Sequence, residues 1–268
     1  MYRNAIPGVV LSTQNAVLRR TFATGRVFLL RHRSQGPLLV SVPARHEQRD
    51  GGLLQSRHIH AGAYAAVVLA GGYEETGNWG RFRVHAGDVL FHDAFDAHLN
   101  RFEARGATIL NLALTGHASG FRAGRVHDAD AVARAAERDP QVAVHVLTAQ
   151  LREMRPVVDD WADLLATEIA RDPNCRLDRW ADAHGIAPET VSRGFARTYG
   201  IAPATFRAEI RARGAFRQIV HTMTSLVGIA SVLGFSDQAH MTRAVRTLTG
   251  ATPSHWRSKS NSFKTLPA

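Results

Sequence analysis

The pattern of apolar and polar positions changes character twice along this chain. Up to about residue 118 the apolar residues come in short runs, at 27–30, 37–42, 64–69 and 107–114, broken by Gly, Pro and Asp. Short runs bounded by turn formers predict the strands of a small antiparallel barrel or sandwich. Ala86-Gly87 before Asp88-Val89-Leu90-Phe91 predicts a turn entering one of them. Residues 128–139 are alanine-rich with helical spacing, and Pro140 opens a second helix expected to run through Met154. Its apolar positions Val142, Val146, Leu147, Leu151 and Met154 form one stripe, which faces either the barrel or a second copy of the chain. From Asp159 onward the pattern is helical throughout. Asp159-Asp160 is placed to cap a helix reaching Ala170, because carboxylates suit the free amides of a first turn. Asp172-Pro173-Asn174 ends it.

The expected fold is therefore α+β with several parts: a barrel at 1–118, linker and dimerisation helices at 119–157, and an all-α domain at 158–268. No apolar run approaches the length of a membrane span. The N-terminus lacks the apolar core of a signal peptide. With a single cysteine, Cys175, the chain holds no internal disulfide. We read that thiol as inert and at the surface, and the chain as cytoplasmic and not membrane-associated.

An internal duplication organises the helical part. Trp180-Ala181-Asp182-Ala183-His184-Gly185-Ile186 matches Ile229-Ala230-Ser231-Val232-Leu233-Gly234-Phe235. A second helix follows each, closed by Gly200 and Pro203 in one copy and by Gly250 and Pro253 in the other. Each copy has the requirements of a helix-turn-helix. A small Ala lets two helices cross, a Gly takes up positive φ, and the next apolar residue plugs the turn into the core. In the second helices Val191, Phe195, Met241, Val245 and Leu248 fall inward. The outer faces then carry Glu189, Ser192, Arg193, Ala196 and Arg197, and Gln238, Ala239, Thr242, Arg243 and Arg246. Short polar faces with arginine suit base edges and phosphates in a major groove.

Charge supports the same partner. Residues 176–268 hold 13 Lys+Arg against 5 Asp+Glu, a net +8, leaving +2 for the rest of a chain whose total is +10. The basic excess sits where a polyanion is expected to bind.

On these motifs, residues 159–258 resemble the DNA-binding domain of the AraC/XylS family, most closely in the stretch from Ile229 to Arg243 and its Thr249-Gly250-Ala251-Thr252-Pro253 closure. The resemblance implies a long helix at about 203–221 joining two units that enter successive major grooves. Val245 stands where the family usually has a bulky aromatic.

His58-Ile59-His60, the Ala86–Phe91 stretch and His98 together resemble the cupin barrel of many such regulators. Period two places His58 and His60 on one face of a strand. With His98 they make a candidate site for Zn²⁺ or a similar divalent metal. The pattern departs from metal-binding cupins where a glutamate is expected, because Tyr64 and Ala65 stand there. His92 is read as a spare ligand or a turn residue. The alternatives left open are a metal site, a metal-free ligand cavity, and histidines built into the wall.

The functional expectation is a sequence-specific transcription regulator, activator or repressor, whose barrel senses a small ligand or metal. The expected partners are promoter DNA, a small-molecule effector, RNA polymerase and a second copy of the chain. The chain is not expected to be an enzyme. The alternative from another class is a cupin metalloenzyme with an accessory DNA-binding domain.

Overall fold

A computed structural model describes residues 38–40, 45–114 and 122–264. The strand expected at 27–30 lies outside the described residues, and of that at 37–42 only 38–40 is described. The strands are β1 (Leu38–Val40), β2 (His46–Arg49), β3 (Leu54–His60), β4 (Tyr64–Gly77), β5 (Gly80–His85), β6 (Asp88–His92), β7 (Ala97–Ala113), β8 (Ala123–Arg125) and β9 (Arg152–Glu153). They form one sheet in the order β1-β3-β7-β4-β6-β8-β9, with β2 on β7 and β5 on β4. Pairing is antiparallel except between β1 and β3. The long strands β4 and β7 serve several partners each, and register shifts at Val68/Ala70 and Gly71/Tyr73 break their ladder, as bulges that bend a strand do.

Alternation along β4 builds two cores. Ala65 and Val67 point to one with Leu110, Leu112 and Phe91, and Tyr64, Ala66 and Val68 point to the other with Phe82, Val84 and Phe102. Helices α1 (Ala129–Arg138) and α2 (Pro140–Ala149) cover the first core through Val132, Ala135, Ala136, Ala143 and Leu147. Asp128 and Asp139 cap them. The segment expected as linker thus returns to the sheet twice, through β8 and β9. The second helix stops at Ala149, where Gln150 closes it, and not at Met154. The expected stripe is partly displaced, since Val142 is exposed and Ala143 takes the buried position.

The helical part comprises α3 (Trp161–Arg171), α4 (Leu177–Ala183), α5 (Pro188–Tyr199), α6 (Pro203–His221), α7 (Leu226–Val232), α8 (Gln238–Thr249) and α9 (Pro253–Lys264). Asp160 caps α3 in a capping box with Asp163. One core gathers Leu165, Ile169, Val191, Phe195 and Phe206, and another gathers Ile229, Phe235, Met241 and Val245 around Ala215 and Ile219 of α6. Trp256 of α9 packs against the second core, where the small Val245 is fully buried. Cys175 is half-buried beside the first core and not at the surface, and burial pushes its thiol pKa up.

The duplication is repeated bond for bond. The Ile186 amide donates to Ala181 and the Phe235 amide to Ala230, at 3.0 and 2.9 Å. Gly185 and Gly234 hold φ of +62° and +70°, a region that costs an L side chain about 1–2 kcal/mol.

The helical part docks on the sheet through α6. Arg57 of β3 donates to Glu209 at 2.7 Å, and Arg213 donates to Asp96, all four side chains being buried. Removing one member of such a pair strands a charge, at a cost of about 3–5 kcal/mol.

The two turn glycines make a graded prediction. A Cβ at Gly185 meets nothing, so Gly185→Ala is expected to cost about 1 kcal/mol from backbone strain alone. At Gly234 a Cβ collides with the Asn174 amide, which also accepts from Arg211 at 2.9 Å, so Gly234→Ala is expected to cost more. Urea unfolding of the two variants checks the order.

Candidate functional site

The two repeat units present their second helices outward. Pro188 starts α5, and Asp237 caps α8 by accepting from the His240 amide. Val191, Phe195 and Tyr199 turn α5 inward, and Met241, Val245 and Leu248 turn α8 inward. The opposite faces leave Glu189, Ser192, Arg193 and Arg197 exposed, with Gln238, Arg243 and Arg246 exposed and Thr242 half-buried. Arg193 and Arg243 occupy equivalent places, each beside a small hydroxyl residue. The arginines of α6 behave differently. Arg211 bonds the Pro173 carbonyl and Asn174, and Arg213 is buried on Asp96, so both are committed to structure.

The second candidate lies inside the sheet domain. Strands β3 and β7 pair His58 with His98, and β4 lies on the other side of β7 with Gly77 opposite His98. His58 and His60 share the inward face of β3. The ring centres of His58, His60 and His98 lie 4.3–5.4 Å apart, so the three predicted histidines do converge. Two residues join them: Glu75, which sequence reasoning did not single out, and His92, which it read as a spare ligand or a turn residue. Glu75 comes from the far end of β4, and His92 closes β6 with its Nε2 3.7 Å from Glu75 Oε2. Tyr64 stacks on His92 at 4.4 Å. Two ligand sets result, His58/His60/His98 and Glu75/His92/His98, sharing His98, with donor atoms in each set all within 4.8 Å of one another.

Burial decides the charge state of this cluster. Loss of water, reinforced by the neighbouring histidines, lowers His58 to about 4 and holds His92 and His98 well below the usual histidine range. Neutral imidazoles keep a lone pair for a metal. Burial pushes Glu75 well above the usual carboxylate range. His98 Nδ1 is buried and has no hydrogen-bond partner among the described residues. Four imidazoles and one carboxylate, with an orphaned ring nitrogen at their shared member, fit a first-row divalent cation. Beside them a cavity of about 10 Å³, room for a single water, is lined by Glu75, Asn78, Trp79, His92, His98 and Arg122. The Arg122 guanidinium stacks on Trp79 at 3.6 Å and bonds Asp93 at 2.6 Å.

The family description "Helix-turn-helix domain" matches residues 180–259. Among curated proteins, the virulence regulon transcriptional activator VirF of Yersinia enterocolitica is 33% identical over 82 residues, 31% of this chain and 30% of VirF. The HTH-type transcriptional regulator RipA of Corynebacterium glutamicum is 33% identical over 78 residues, 29% of this chain and 23% of RipA. The chain thus spans less than a third of the length of these relatives. Among solved structures, a probable AraC family transcriptional regulator from Rhodopseudomonas palustris matches at a TM-score of 0.34, with 22% identity, over 36% of this chain and 93% of that one. The apo form of a single-substitution variant of ToxT from Vibrio cholerae matches at 0.36, with 8% identity, over 80% of this chain and 95% of that one. Residues 180–259, which hold both turns of the duplication, thus match a helix-turn-helix domain.

Proposed function

We propose that the chain is a sequence-specific transcription regulator that reads promoter DNA with α5 and α8 and senses a divalent metal ion at its histidine cluster. The observation that carries the DNA reading is the repeat itself. Two units of the matched family expose equivalent arginine-bearing helices, joined by the 19-residue α6, in the most basic part of the chain. An exposed Arg193 or Arg243 can give two donors to guanine O6 and N7, a contact worth about 1–3 kcal/mol of discrimination. Glu189, Ser192, Arg197, Gln238, Thr242 and Arg246 flank them as further base or phosphate contacts. RNA polymerase, a small-molecule effector and a second copy of the chain are compatible partners of such a regulator. The metalloenzyme alternative gains no support from the relatives named above, which are transcription regulators by name.

In the sensor, His58, His60 and His98 would hold the ion, with Glu75 and His92 as the alternative set around His98. A bound cation there would supply a fixed positive charge and a rigid tie between strands. The chain's own part is to keep His58, His92 and His98 neutral and dry.

Two measurements test this reading. Arg193→Ala and Arg243→Ala are expected to weaken operator binding by about 1–3 kcal/mol while leaving random-sequence binding nearly intact. Equal loss on both DNAs, in competition gel shifts, would reduce the arginines to phosphate contacts. In the sensor, His98→Ala is expected to abolish Co²⁺ or Zn²⁺ binding because it removes a member of both sets. His60→Ala leaves the second set and is expected to weaken binding without abolishing it. Equilibrium dialysis of the full chain reads the difference, and metal retained by His98→Ala would place the ion elsewhere.

A further inference from the structure

The wall that holds the histidines is also the wall on which the DNA-binding domain sits. On β3, His58 and His60 point into the cluster, while Arg57 and Ile59 point out to α6: Arg57 bonds Glu209, and Ile59 packs with Ala212 and Phe216. On β7 the same alternation holds. His98 and Asn100 turn inward, Ala97 packs with Ala212 and Phe216, and Arg101 donates to the Arg197 carbonyl at the end of α5 at 2.9 Å. Only one strand's thickness separates the two sides.

The loop between His92 and His98 adds a second connection. Phe95 has a φ of +64°, the one positive value outside glycine among the described residues, a strained position for an aromatic side chain. Its ring lies edge-on to Phe216 of α6 and Trp256 of α9, at 5.0 and 5.8 Å. The next residue, Asp96, accepts from Trp79 Nε1 and the Asp93 amide at 2.9 Å each, and from buried Arg213 of α6. Both ends of this loop are members of the Glu75/His92/His98 set.

We infer that Asp96 and Glu209 are positioning residues through which a divalent cation in the histidine cluster loosens α6 from the sheet. The inference rests on the metal reading proposed above. Metal–nitrogen bonds are about 2 Å long, so neighbouring donors on one ion stand only about 3–3.4 Å apart, and the 3.7 Å between His92 Nε2 and Glu75 Oε2 must close to bind it. That closure pulls on the His92 end of the strained loop, an ion shared through His98 ties β3 to it, and the Arg57–Glu209 and Asp96–Arg213 pairs lie directly on those segments. Packed interfaces respond by switching between arrangements. Because α6 joins the two helix-turn-helix units, freeing it changes how both are presented to DNA.

Hydrogen exchange of the full chain with and without saturating Co²⁺ tests this, with the cobalt absorption spectrum reporting binding independently. Cobalt is expected to speed exchange across Phe206–Ile219 by at least about fivefold. An Asp96→Asn/Glu209→Gln double variant, which keeps shape but removes both negative partners, is expected to retain the cobalt spectrum. Its α6 exchange should already be fast and change by less than about twofold on adding metal. Cobalt binding with unchanged or slowed α6 exchange in the unsubstituted protein overturns the coupling and leaves the metal site standing. A protein that shows no cobalt spectrum overturns the metal reading and the coupling with it. If the double variant does not fold, the comparison in the unsubstituted protein decides alone.

Discussion

Two adjacent strands, β3 and β7, carry the arrangement on which the rest of this molecule depends. A strand has two faces and a period of two, so each residue that enters the histidine cluster has neighbours that must point the other way. Here the other way is α6. Arg57, Ile59, Ala97 and Arg101 all meet the helical domain, while His58, His60 and His98 fill the interior. A one-residue slip of either strand would exchange the two sets, burying arginines in the cluster and placing histidines against α6. Register is therefore fixed from both sides at once.

The buried ion pairs across this junction contribute position more than net stability. Each guanidinium loses its water, and its attraction to a carboxylate roughly repays that loss. What the pairs do specify is one orientation of α6 against the sheet, because an alternative docking would leave Arg57, Glu209, Asp96 or Arg213 buried without a partner. The aromatic contacts of Phe95 with Phe216 and Trp256 supply apolar burial at the same place.

Much of the helical half was legible in the sequence because its information is local. A Gly four residues after an Ala, an apolar plug and a Gly-Pro closure each act within one turn, and the structure returns their φ values and hydrogen bonds. The expected joining helix at about 203–221 matches α6. In the other half, His58, His60 and His98 were legible through period two and a strand pairing. Glu75 was not, and His92 only as one of two readings, a spare ligand or a turn residue, because their approach depends on where bulges bend β4 and where β6 ends, which are long-range outcomes. The spans at 123–125 and 152–153 were missed for a similar reason. Two or three residues leave no periodicity to read, and only the sheet edge they pair with makes them strands. Nothing local marked Asp96 or Glu209 as interface residues, since each is separated by more than a hundred residues from its partner.

The central claim is that α5 and α8 read DNA together, as one pair joined by α6. Selection of binding sites from a pool of randomised duplexes, using the full chain, tests it most directly. Two base clusters whose centres lie about 10 base pairs apart, one helical turn, are the expected result. A single cluster, or enrichment with no sequence preference, would contradict it.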